Sequence, residues 1–197
     1  MNSNLSMMGD ARLRWLGLRS YEESDTDIFY GRDRDSEKLF RMVRREVLTT
    51  VFAPSGTGKT SLLCAGLFPK LRKEKFLPVW VRLDHSDSVM DHGRYIIDRI
   101  EDAANVRGLE VASIVPPQVA LDDEMFWEYM HRIELWDDQN NLVTPVVVLD
   151  QFEEVFTVGR SISKTNDFLC ELADLVQKRI PKLLRERLQK DLSLIHI

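Results

Sequence analysis

The sequence holds only two cysteines, Cys64 and Cys170, in apolar helical contexts without a C-x-x-C pair or a nearby histidine. That pattern offers neither a disulfide framework nor a thiolate metal site, so both are expected as reduced core thiols. Long apolar runs are missing as well. Val146-Val147-Val148-Leu149 is as long as any, far short of the about 20 residues that span a bilayer. Arg12 and Arg14 stand near the N-terminus without the apolar stretch of a secretion signal, so a cytoplasmic protein with no membrane partner is expected. Nor is there an excess of positive charge. With 27 basic and 32 acidic residues the net charge is -5, which speaks against the broad cationic footprint that drives nucleic-acid affinity. What the chain does have is 197 residues, 44% of them hydrophobic, enough for one domain with a buried core.

Along the chain, residues 1–27 lack a sustained period and read as an N-terminal extension, anchored through Trp15 and Leu16. Leu39, Phe40, Met42 and Val43 suit a helix over 34–45, with Asp33 as its N-cap. Val47, Leu48, Val51 and Phe52 predict a strand that stops at Ala53-Pro54. A helix beginning near Lys59 carries Leu62, Leu63, Ala65 and Leu67. A second strand is expected over 77–83, followed by the polar turn Asp84-His85-Ser86-Asp87. Helices are expected over 93–106 and 122–136, with a Pro116-Pro117 loop between them, and a buried third strand over 145–149. A last helix starts near Asn166 and is kinked at Pro181. Strands alternating with helices predict a three-layer α/β domain with a mostly parallel sheet.

The chemistry concentrates at Ala53-Pro54-Ser55-Gly56-Thr57-Gly58-Lys59-Thr60. Glycines ahead of a helix start let backbone N–H groups approach an anion, and the helix dipole favours negative charge there. Ser55, Gly56, Thr57, Gly58, Lys59, Thr60 and Ser61 are therefore expected to hold a nucleotide's phosphates. Lys59 supplies a charge for the β- and γ-phosphates, and the Thr60 hydroxyl is a ligand for Mg²⁺. Ala53 stands where the G-x-x-x-x-G-K-[ST] pattern has its first glycine, a position whose turn Pro54-Ser55-Gly56 can supply. Asp150, closing an apolar strand, is the expected magnesium carboxylate. Glu153 and Glu154 follow it. Either one polarises an attacking water, or both are solvated charges opening a helix.

Four segments together resemble one family. They are Gly17-Leu18-Arg19-Ser20-Tyr21, Ile28-Phe29-Tyr30-Gly31-Arg32-Asp33, the phosphate loop with Ser61-Leu62-Leu63 and Ala65-Gly66-Leu67, and Asp150-Gln151-Phe152-Glu153-Glu154-Val155-Phe156-Thr157. This combination is similar to the novel STAND NTPases, signal-transduction ATPases with numerous domains that are related to the AAA+ proteins. The resemblance covers most of residues 15 to about 190. It implies a P-loop NTPase domain over 28–191 with ATP and Mg²⁺ as cofactors and the sheet order 5-1-4-3-2. Gly31 and Arg32 would lie near the nucleotide, holding base or phosphates, unless they only form a helix-entry turn. Gln151 stands where many AAA+ motors carry their catalytic glutamate, which implies slow hydrolysis.

The resemblance further implies a nucleotide switch in signalling or antiviral defence, with downstream regulatory and repeat or effector domains as partners and homo-oligomers in the full-length protein. A P-loop phosphotransferase or motor ATPase is the alternative enzyme, and a binding-only nucleotide scaffold the alternative without turnover. The transporter signature Leu-Ser-Gly-Gly-Gln and the GTPase motif Asn-Lys-x-Asp are both absent from the sequence. No candidate for the fourth strand is visible, so the domain is expected to be incomplete at its C-terminus. Leu192-Ser193-Leu194-Ile195-His196-Ile197 resembles the translated end of a transposon-type sequencing adapter, and 192–197 is read as a non-native tail.

Overall fold

The computed structural model describes residues 19–83, 91–113, 125–156 and 162–195. The expected Trp15 and Leu16 anchor, the turn at 84–87, the Pro116-Pro117 loop and Thr157 lie outside them. The chain divides into two compact units, Met1–Glu74 and Lys75–Ile197.

In the first unit, a 3-10 helix (Glu23–Ile28) precedes α1 (Asp33–Arg45). Asp33 is the first residue of α1 rather than its cap. The cap is Arg32, whose carbonyl accepts the Ser36 N–H at 2.9 Å. Helix α1 buries Ser36, Leu39 and Phe40 on one face and leaves its basic residues outside. A second helical rod follows without a break as α2 (Lys59–Ser61), a π-helical stretch (Leu62–Leu67) and α3 (Phe68–Lys73). Proline has no N–H to donate to the residue four back, and its ring crowds that carbonyl. Pro69 donates no backbone bond to this rod, and the Thr26 hydroxyl donates to the Ala65 carbonyl at 3.3 Å.

The predicted strand over 47–52 does not form. The segment bends at Val47 and carries no ladder, and most of its side chains are exposed, Leu48 at 58% and Phe52 at 90%. β-propensity expresses itself only against a neighbouring strand, and the described residues of this unit contain none.

The second unit is α/β around a four-stranded sheet, β1 (Phe76–Arg82), β2 (Glu110–Ser113), β3 (Ile133–Trp136) and β4 (Leu142–Asp150), in the order β1-β4-β3-β2. The sheet is mixed rather than mostly parallel. The long β1–β4 pair is parallel, while β2–β3 and β3–β4 are antiparallel. Strand β3 occupies the end of what periodicity predicts as a helix through Trp136. Helix α5 (Phe126–Arg132) ends earlier, because Ile133–Trp136 pairs with β2 and joins β4 through a tight hairpin. That hairpin turns on Asp137, whose carboxylate accepts the Gln139 and Asn141 N–H groups at 3.0 and 2.8 Å and the Lys75 ammonium at 2.7 Å.

Alternation decides which residues of β1 face the core. Leu77, Val79 and Val81 are buried at 2% exposure or less, packed with Ile96, Ile97 and Ile100 of α4 (His92–Val106). Asp91 caps α4 by accepting the Arg94 N–H at 3.1 Å. Two prolines stand inside strands. The Thr144 N–H donates to the Lys75 carbonyl at 3.0 Å, and alternate residues turn their amides to opposite edges. The nitrogens of Pro78 and Pro145 therefore both fall on the edges away from the β1–β4 ladder, where no ladder bond is lost.

The last helix is two helices. Helix α6 (Ile162–Val176) and α7 (Lys182–Ile195) are separated at Lys178, which adopts the left-handed φ of 54°, and at Pro181 just before α7. Helix α6 packs Phe168, Leu172 and Leu175 on the core, which turns Cys170 outward. Cys170 is thus an exposed thiol and Cys64 a half-buried one, not the core thiols expected. Glu171 accepts the Trp127 N–H at 3.2 Å at the start of α5. Burial pushes its carboxyl above the usual range, against the opposite pull of that amide.

Candidate functional site

The sequence-predicted residues fall into two sets, one in each unit. In the first, Gly56 and Gly58 adopt left-handed φ values of 78° and 79°, a conformation that costs glycine nothing and other residues strain. A Cβ built on Gly56 would meet nothing within 4 Å, so glycine is required there by backbone conformation rather than by crowding. Thr57 closes the turn, its N–H and Oγ1 both donating to the Pro54 carbonyl, at 3.4 and 2.8 Å. Gly58 is the N-cap from which α2 starts, so Lys59, Thr60 and Ser61 occupy the first turn, where backbone N–H groups have no partner within the helix. The Lys59 ammonium donates to the carbonyls of Ala53 and Pro54 at 2.8 and 3.2 Å, which folds the side chain back over the loop.

Gly31 and Arg32 belong with this loop. Gly31 takes a φ of 83° and turns the chain into α1. Arg32 Nη1 donates to the Thr57 carbonyl at 3.2 Å, and its Nε donates to Asp35 at 2.6 Å. Ser61 is buried, and its hydroxyl accepts the Tyr21 N–H at 3.0 Å, tying the segment before the 3-10 helix to α2. Sequence reasoning gave Asp35 no role and named Tyr21 only within a family-like segment, without its contact. Asp35 had a local signal, an acid three residues after an arginine at a helix start. Tyr21 had none, because its bond to Ser61 spans 40 positions.

In the second unit, Asp150 ends β4, half-buried, with Arg82 as its register partner on β1. Gln151 has a left-handed φ of 52° and turns the chain sharply into a 3-10 helix (Phe152–Phe156). The Gln151 carbonyl accepts the Glu154 N–H at 2.9 Å. Val155 anchors this turn in the core at 4% exposure, which leaves Glu153 exposed and Glu154 half-buried. Glu154 pairs with Arg82 at 3.4 Å. Three carboxylates thus lie at one strand end within five positions, and Arg82 pairs in register with Asp150 and by charge with Glu154. Among the described residues no cluster of three acidic, histidine or cysteine side chains could cage a metal ion by itself. No described helix is long and apolar enough to cross a membrane.

A glycine turn opening a helix on Lys59-Thr60, in a chain whose main strand ends in Asp150, defines the class of nucleoside-triphosphatases with a phosphate loop as the one to compare. The family profile described as novel STAND NTPase 1 matches residues 15–189, and the chain belongs to that family. Comparison with curated proteins and with solved structures returned no match.

Proposed function

We propose that the chain is a nucleotide switch domain of a signalling or defence protein, one that binds ATP with Mg²⁺ and hydrolyses it slowly. The observation that carries this reading is the left-handed pair Gly56 and Gly58 opening α2 directly on Lys59. Such a turn aims unpartnered amides at an anion, and the helix dipole adds to their attraction. Lys59 would exchange its two loop carbonyls for phosphate oxygens, a gain in charge complementarity. Ser55, Gly56, Gly58 and Ser61 would contribute backbone N–H groups, Thr57 would do so only by releasing its N–H from the Pro54 carbonyl, and Arg32 would add a planar cation held by its contact with Thr57.

Magnesium is usually held by one or two protein oxygens together with phosphates and water. The Thr60 hydroxyl and the Asp150 carboxylate are each of the right ligand type. An ion held by either would neutralise charge on the phosphates. Glu153 is the better placed of the two glutamates to accept a proton from water, because it is exposed while Glu154 is engaged by Arg82. That engagement also favours a second reading, a scaffold that binds nucleotide without turning it over. Glu153→Gln and Glu154→Gln separate the two readings, since loss of hydrolysis with binding retained identifies the switch enzyme. Downstream regulatory and effector domains are the partners this reading calls for, and homo-oligomerisation is the assembly it favours.

Magnesium-dependent binding of a fluorescent ATP analogue tests the core claim. Lys59→Ala is expected to weaken binding by about 100-fold, a charge-assisted contact of roughly 2–3 kcal/mol. Unchanged binding in Lys59→Ala would overturn the assignment of the loop.

A further inference from the structure

The Arg32 guanidinium makes two contacts of different kinds. Its Nε donates to Asp35 at 2.6 Å, and its Nη1 donates to the Thr57 carbonyl at 3.2 Å. Taken alone, the first is an exposed i,i+3 ion pair, with side chains 39% and 55% accessible, a type that contributes little to stability. The second contact changes its meaning. Thr57 lies 25 residues on, between the two left-handed glycines of the phosphate loop. Arg32 Nη1 also lies 3.8 Å from where a Cβ on Gly58 would stand.

An arginine side chain has about 2 kcal/mol of rotamer freedom to lose before it can act as a directed donor. Here the residue is held at both ends. Its carbonyl accepts from the Ser36 N–H and Oγ at 2.9 and 3.0 Å, and Ser36 is buried. Its guanidinium is held through Nε by a carboxylate in the first turn of α1, where the helix dipole also favours negative charge.

We infer that Asp35 is a positioning residue for the phosphate loop: it orients Arg32 so that one N–H group fixes the Thr57 carbonyl and the rest of the fork remains beside the loop for a phosphate. This inference rests on the nucleotide reading for its ligand and on the Arg32 contacts for its mechanism. It assigns Asp35 no contact with the nucleotide itself.

The test is a double-mutant cycle on the full chain, read by magnesium-dependent binding of the fluorescent ATP analogue. Asp35→Ala and Arg32→Ala are each expected to weaken binding about three- to tenfold, the range of coupling within one hydrogen-bonded network. Asp35→Ala should add nothing in the Arg32→Ala background, and Asp35→Glu should restore most of the loss. Additive losses, or full binding by Asp35→Ala while Lys59→Ala abolishes it, overturn the inference. If Lys59→Ala also binds normally, the nucleotide reading fails, and amide hydrogen exchange without nucleotide decides the positioning role. Exchange at residues 55–58 should rise about three- to tenfold in either single variant and no further in the double. Unchanged exchange refutes it.

Discussion

Gly66 shows how closely α1 approaches the π-helical stretch. A Cβ there would overlap the buried Ser36 Oγ and come within 3.2 Å of Phe29 Cε1. Alanine favours a helix over glycine by about 1 kcal/mol, but overpacking costs about 1–3 kcal/mol and here also disturbs the Ser36 to Arg32 bond. Gly66→Ala is therefore expected to lower stability by about 1 kcal/mol or more, read as a lower urea midpoint with unchanged slope. A rise in the midpoint would show that Ser36 yields freely. At this scale, Lys59 and Thr60 were legible because their spacing is local and the helix start turns spacing into geometry. Ser61 and Gly66 carry structural contacts no window of sequence displays, since their partners are Tyr21, Phe29 and Ser36.

Among elements, the β3–β4 hairpin depends on one charge. Lys75 first, then the N–H groups of Asn141 and Gln139, hold the Asp137 carboxyl well below its ordinary value of 3.8. A carboxylate whose folded pKa is depressed adds stability above its unfolded pKa and loses it as pH falls toward the folded one. Asp137→Asn should thus be less stable than the parent at neutral pH, and the gap should close as pH drops below about 4. Thermal melts of both proteins across that range measure it, and a gap independent of pH would show that the hydrogen bonds matter and the charge does not. Helix α4 and strands β1 and β4 were readable from period and β-branching. The end of α5 was not, because Ile133–Trp136 takes its conformation from strands on either side of it in the sheet.

Over the whole molecule, the resemblance carried by a few short motifs and the family match agree across most of the chain. The mixed sheet and the unpaired segment at 47–52 were beyond reach of pattern, since apolar alternation shows what can pair and not what does. That segment exposes Val47, Leu48 and Phe52 outside any ladder, a combination that invites association between chains. Leu48→Lys with Phe52→Ser is expected to raise the soluble fraction in light scattering at constant protein concentration. The change in folding stability should stay within about 0.5 kcal/mol, as for other surface substitutions. A large loss of stability would mean that these side chains are buried in the working protein.

Beyond Val143, the outer edge of β4 has no ladder partner among the described residues, and Pro145 presents no donor along it. Growth of the sheet along that edge is polarised as a result. A newly added strand meets the Pro145 carbonyl there but finds its first outward N–H only at Val147, so zipping has most bonds to form toward the end that carries Asp150. A strand in a slipped register has few bonds with which to recover its lost entropy, and the edge rejects casual partners while still admitting one that starts in the right place.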